Sequence, residues 1–129
     1  MSAWPDTNVR VEKRNVPMKL FTAAIKTKLL ANGILSQEDE NQDQQPVVKL
    51  FGGAACTWLL SELDEDGRAF GLCDLGVGCP ELGYVLVSDL EAVRFPPFGL
   101  PAERDISWTP EHTLSEYAAT ARGHSRIVA

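Results

Sequence analysis

A chain of 129 residues, 44% hydrophobic, with three Trp, five Phe and two Tyr, is one domain's worth of polypeptide with enough apolar surface for a packed core. No run approaches the roughly 20 apolar residues of a membrane span, and the polar residues 1–8 lack the apolar stretch of a secretory signal, so a cytoplasmic location is expected. The net charge of −6 divides unevenly: residues 1–35 carry six basic and two acidic side chains, and residues 36–129 carry six basic and sixteen acidic. A body at −10 repels a phosphate backbone, which disfavours direct nucleic-acid contact and leaves protein binding, carboxylate–metal chemistry or plain solubility.

Cys56, Cys73 and Cys79 are odd in number and form no C-x-x-C pair, a poor framework for disulfides or zinc. Small buried thiols are the expected state. His112 and His124 are the only nitrogen ligands on offer, and their spacing suits no metal. The chain has no Walker A, Rossmann glycine pattern, H-E-x-x-H or G-x-S-x-G motif, and no cofactor is expected.

Residues 1–17 mix charges without hydrophobic periodicity and are expected to be a flexible extension ahead of a single domain over 18–122. Phe21, Ile25 and Leu29 then recur at helical spacing, with Thr22 as a cap or an earlier start allowed by Pro17, and Asn32-Gly33 as the C-terminal stop. Residues 36–45 contain no apolar side chain and read as a solvated loop. A β-rich run over 47–51 ends at Gly52-Gly53.

Residues 56–63 and 68–75 flank Asp64-Glu65-Asp66-Gly67, which predicts a hairpin. Pairing Leu63 with Arg68 sets Ser61 against Phe70, Leu60 against Gly71, Leu59 against Leu72, Trp58 against Cys73 and Thr57 against Asp74. A strand over 82–87 follows a glycine loop. Ser88 and Glu91 match a capping box for a short helix to Val93, stopped by Pro96-Pro97. Residues 105–108 are expected as an edge strand. The last helix starts at Thr109-Pro110 or at the Thr113–Glu116 capping box and ends at Gly123, and residues 123–129 are expected to fray. The fold class is therefore α+β: an antiparallel sheet of about four strands packed by an N-terminal, a short middle and a C-terminal helix.

Several runs carry a family resemblance. They are Met18-Lys-Leu, Leu29-Leu-Ala-Asn-Gly33, Pro46-Val-Val-Lys-Leu-Phe51, Thr57-Trp-Leu-Leu60, Phe70-Gly-Leu-Cys-Asp-Leu-Gly76 and Pro80-Glu-Leu-Gly-Tyr84, followed by Gly99-Leu-Pro101, Glu103-Arg-Asp105 and Thr113-Leu-Ser115. Over roughly residues 18–119 the chain resembles DUF2958, a bacterial domain of unknown function. The resemblance implies a small cytosolic protein frequent on plasmids and integrative conjugative elements, and it brings no catalytic residues with it. Some relatives are labelled as acting on single-stranded DNA. Residues 1–17 lie upstream of the family-like start, and Cys56 and Cys79 fall outside its pattern.

The one arrangement with potential chemistry is acidic. Asp74 and Glu81 flank the glycine loop near Thr57, and Glu103 and Asp105 could join them to hold Mg²⁺ or Mn²⁺ for phosphodiester hydrolysis. Turn chemistry alone also explains Asp74 before Gly-x-Gly, through bonds to the loop amides, and that reading is preferred. Trp58, Tyr84 and Trp108 are candidates for a stacking surface, with core packing the commoner role of aromatic strand residues. The basic residues from Arg10 to Lys28 read as a solvated face. The leading expectation is a non-enzymatic accessory protein of a mobile element that binds a protein partner. A metal-dependent nuclease for single strands and an acidic nucleic-acid mimic are the alternatives, and the oligomeric state is left open.

Overall fold

The structure is a computed structural model that describes residues 20–129. The expected extension over 1–17 and the family-like start at Met18 lie outside the described residues. The elements are α1 (Ala23–Glu38), β1 (Val48–Gly52), β2 (Cys56–Leu63), β3 (Arg68–Asp74), β4 (Glu81–Leu86), α2 (Val87–Ala92), β5 (Glu103–Arg104) and α3 (Leu114–His124). The five strands form one antiparallel sheet in the order β4-β3-β2-β1-β5. The α+β class is as expected, with one strand more.

Helices pack on both faces of the sheet, which explains why Trp58, Leu59 and Leu60 are consecutive and all buried. One core joins Leu29 of α1 and Leu90 of α2 to Leu50, Trp58 and Leu60. The other joins Leu114, Tyr117, Ala118 and Ala121 of α3 to Leu59 and Leu72. Side chains alternate between the two faces along each strand. Trp58 and Leu60 therefore share the α1 face, and Leu59 and Leu72 share the α3 face.

The hairpin register holds over half its length and then shifts. Thr57 faces Asp74, Trp58 faces Cys73, Leu59 faces Leu72 and Leu60 faces Gly71, as counted from the sequence. Beyond Leu60 a β-bulge intervenes, so Glu62 faces Phe70 and Leu63 faces Ala69, correcting the expected Ser61–Phe70 and Leu63–Arg68 pairs. The cause lies at the turn. Asp64 closes the hairpin itself, donating its N–H to Arg68 O at 2.9 Å and accepting Arg68 N–H through Oδ1 at 2.9 Å. The extra residue is absorbed at Ser61, which is buried and donates its hydroxyl to Phe70 O at 3.3 Å. The shift turns Leu63 toward the α1 core and Glu62 to the opposite face.

Helix α1 runs five residues past the expected stop at Asn32-Gly33. Thr22 caps it as predicted, its Oγ1 accepting the Ile25 N–H at 3.1 Å. Strand β1 begins opposite Leu60, so among the described residues no strand lies beside residues 61–63 of β2 on that side. Helix α1 takes the vacant place: Asn32, buried, donates to Ser61 O at 2.9 Å, and a Cβ on Gly33 would lie 2.5 Å from Leu63 O. Gly33 is small so that helix backbone can meet strand backbone, and it ends nothing. The loop expected over 36–45 accordingly begins only after Glu38.

Three further boundaries move. Helix α2 starts at Val87, with Leu86 at the N-cap and no side-chain cap bond, so Ser88 is not its cap. Strand β4 runs straight into it while Val87 N–H bonds Gly67 O at 2.9 Å. The edge strand is Glu103–Arg104, not 105–108, because Asp105 Oδ1 accepts Ser107 N–H at 3.0 Å and bends the chain away. Helix α3 does use the Thr113–Glu116 capping box, which holds the Glu116 carboxyl below its usual range chiefly through the Thr113 backbone N–H. It continues through Gly123 to His124, and Ser125 adopts the left-handed conformation at φ 57°. The tail expected to fray carries Ile127, which is buried in the α3 core.

Candidate functional site

The structure places the four candidate carboxylates apart. Asp74, 3% exposed, accepts the Gly76 N–H through Oδ1 at 2.9 Å and the Ile127 N–H through Oδ2 at 3.0 Å. Both oxygens thus hold backbone, one in the glycine loop and one in the C-terminal tail. Glu81 pairs with Cys73, which puts it on the opposite face of the sheet from Asp74. Glu103 lies on β5, with β1 and β2 between it and β3. Asp105 sits 3.9 Å from Lys49 Nζ. Among the described residues no group of three or more His, Cys, Asp or Glu side chains is placed to hold a metal ion. Thr57 does share a cavity of about 370 Å³ with Asp74, next to Arg126 and Ile127.

The role of Asp74 has a measurable consequence. Asp74→Asn keeps one acceptor oxygen and replaces the other with an N–H₂ group facing an N–H donor. The variant is expected to lose about 1–3 kcal/mol of stability and to be cut faster by trypsin at Arg126, which the wild-type tail holds beside buried Ile127. An unchanged melting midpoint and cleavage rate would show that the tail does not depend on Asp74.

The aromatic candidates also separate. Trp58, 5% exposed, belongs to the α1 core. Trp108 packs against the α3 core, its ring 6.2 Å from that of Tyr117. Tyr84 alone of the three is open, at 68% exposure. The cysteines are free; burial pushes the Cys73 and Cys56 thiols up, while Cys79 is exposed, against expectation. His112 and His124 keep to local contacts, with the Tyr117 ring and with Thr120 O.

What the chain does assemble is a groove around Tyr84. Helix α3 packs on Leu59 and Leu72, and toward the hairpin end of the same face Phe70 is only partly buried against that core while Tyr84 is exposed. There Glu62, Phe70 and Tyr84 stand in register across β2, β3 and β4. The Phe70 and Tyr84 rings are 5.0 Å apart, and Arg68 lies 5.9 Å from the Tyr84 ring centre. A cavity of about 230 Å³ opens here, bounded across from Tyr84 by Ser36 and Gln37 of α1. Ser36 donates its hydroxyl to Glu62 Oε2. Arg68 Nε donates to Asp64 Oδ2 at 2.9 Å, and the Arg68 backbone N–H, followed by that side-chain bond, holds the Asp64 carboxyl below its usual range. Beside the groove Leu82 and Leu86 remain exposed on the same face as Tyr84.

Sequence reasoning named Tyr84 and missed its neighbours. Glu62 reaches this face only through the bulge; in an uninterrupted ladder it would pair with Ala69 toward the α1 core. The readable signal was the alternation of Leu82, Tyr84 and Leu86 along one strand.

No curated protein and no solved structure matches the chain. The family model described as "Protein of unknown function (DUF2958)" matches residues 20–128. That span takes in every helix and strand of the fold together with the Tyr84 groove and the Asp74-bound tail, and the chain belongs to the DUF2958 family.

Proposed function

We propose that this protein is a non-catalytic accessory factor that acts by binding a protein partner through the sheet face around Tyr84. Its setting on a bacterial mobile element follows from the family resemblance alone. The observation that carries the reading is an open apolar patch on one sheet face, where Leu82, Tyr84 and Leu86 are exposed beside half-buried Phe70. An aromatic residue exposed among aliphatic ones and rimmed by Glu62, Asp64 and Arg68 has the make-up of an interface centre with a polar rim. The dispersed carboxylates give a hydrolase no comparable support.

A photo-crosslinking residue at position 84, with the same group at exposed Glu111 as control, tests this in cells of the natural host. A discrete protein adduct at 84 and none at 111 is expected. The captured protein, once purified, should bind the wild-type chain and lose about tenfold or more in affinity toward Tyr84→Lys. No adduct at 84, or equal adducts at both positions, would overturn the reading.

A further inference from the structure

Among the described residues, strand β4 is the last strand on its side of the sheet. Its phase follows from the bond between Val87 N–H and Gly67 O, because the backbone groups of successive strand residues point to alternate sides. Val85, Gly83 and Glu81 therefore turn their N–H and C=O groups toward β3, and Leu82 and Tyr84 turn theirs outward. Edge strands are usually protected by lysine, proline, an inward charge or a bulge. Strand β4 (ELGYVL) has no lysine and no proline, its ladder with β3 is unbroken, and its one charge, Glu81, stands at its first residue. Leu82, Tyr84 and Leu86 line one face of this edge strand, so an added strand would meet outward backbone groups and extend that apolar row.

The charge around this edge is negative. Glu81 stands at the start of β4, and the far end abuts the turn that holds Asp64, Glu65 and Asp66. Helix α2 follows directly with Asp89 and Glu91. Arg68, the cation beside Leu86, is held by Asp64. A second copy of the chain would bring the same carboxylates against themselves, whereas a basic segment would neutralise them.

We propose that β4 receives an extended basic peptide of the partner as a sixth strand, its alternate apolar side chains continuing the Leu82–Tyr84–Leu86 row and its Lys or Arg side chains meeting the surrounding carboxylates. This rests on the protein-partner reading and adds the geometry of capture. Main-chain bonds to Leu82 and Tyr84 supply affinity, and the alternate side chains supply selectivity.

The test uses the full chain and N-acetyl-Lys-Val-Lys-Val-Lys-Val-Lys-amide as probe, with two counterparts: one with Glu replacing each Lys, and one N-methylated at every backbone amide, so that neither edge can donate. The Lys–Val peptide is expected to bind and to slow hydrogen exchange at the Leu82 and Tyr84 amides, and each counterpart to bind about tenfold or more weakly. Tyr84→Pro, which removes an outward N–H and leaves the β3 ladder its donors, should weaken binding similarly; if it does not fold, the methylated peptide still decides. Equal binding of the methylated peptide overturns strand addition while leaving the protein-partner reading to the crosslinking result. Absence of binding at millimolar peptide overturns the proposal. A concentration-dependent dimer whose Leu82 and Tyr84 amides are already protected overturns it too, by making a second copy the occupant.

Discussion

Trp58→Ala is expected to leave little folded protein at room temperature. Trp58 lies in the central strand, paired on one side with Leu50 and on the other with Cys73, and it shares the α1 core with Leu29, Leu60 and Leu90. Truncating a buried Trp typically costs about 3–5 kcal/mol, because the transfer energy is lost and a cavity remains. Domains of this size are held by roughly 5–15 kcal/mol in all. Collapse into the cavity is hindered from both sides: the sheet is fixed by its ladder, and α1 is fixed by backbone contact at Gly33 and the Asn32 amide. A thermal melt followed by circular dichroism measures the effect. A cooperative transition near the wild-type midpoint would take Trp58 out of the core and reopen a ligand role for it. Trp108→Ala is the comparison, since Trp108 is only half-buried at the margin of the α3 core and its loss should cost less.

The fold was legible where local chemistry alone decides structure, and illegible where two elements meet. Thr22 and Thr113 cap their helices because each cap is settled within four residues of chain. The distal hairpin pairs from Thr57 to Leu60 follow from counting along two apolar strands. Gly33 was read as a helix stop because glycine commonly ends helices. Its actual role depends on where β1 begins, and no local pattern carries that. Asp74 shows the same limit from the other side: its bond to Gly76 was foreseeable from Asp-x-Gly turn chemistry, while its bond to Ile127 crosses 53 residues. The Tyr84 groove was half legible for a similar reason. Tyr84 reveals itself by strand alternation, but Glu62 depends on the bulge at Ser61, which Asn32 stabilises from another element.

Two glycines that face each other across β3 and β4 should respond oppositely to the same change. Gly71 pairs with Leu60 on one side and with Gly83 on the other. Swapping a strand glycine for alanine normally gains about 0.5–1 kcal/mol, since glycine loses the most chain entropy on folding. At Gly83 nothing lies within 4 Å of the new methyl, so Gly83→Ala should be neutral or slightly stabilising. At Gly71 the Cβ would sit 2.0 Å from Leu59 O and 2.8 Å from Leu60 Cα, and both are backbone atoms of the neighbouring strand. Neither can move aside by rotating a side chain, so β2 and β3 must separate next to the bulge that positions Ser61 and Glu62. Overpacking of this kind costs about 1–3 kcal/mol and sometimes more. Its placement between backbones at the centre of the sheet puts Gly71→Ala at about 3 kcal/mol or above on that scale. Urea unfolding of the two variants side by side separates the effects. Equal midpoints would mean that β2 and β3 do not approach this closely at Gly71. A Gly71→Ala midpoint far below wild type, with Gly83→Ala at or above it, would identify close backbone approach as the reason glycine occupies the strand centre.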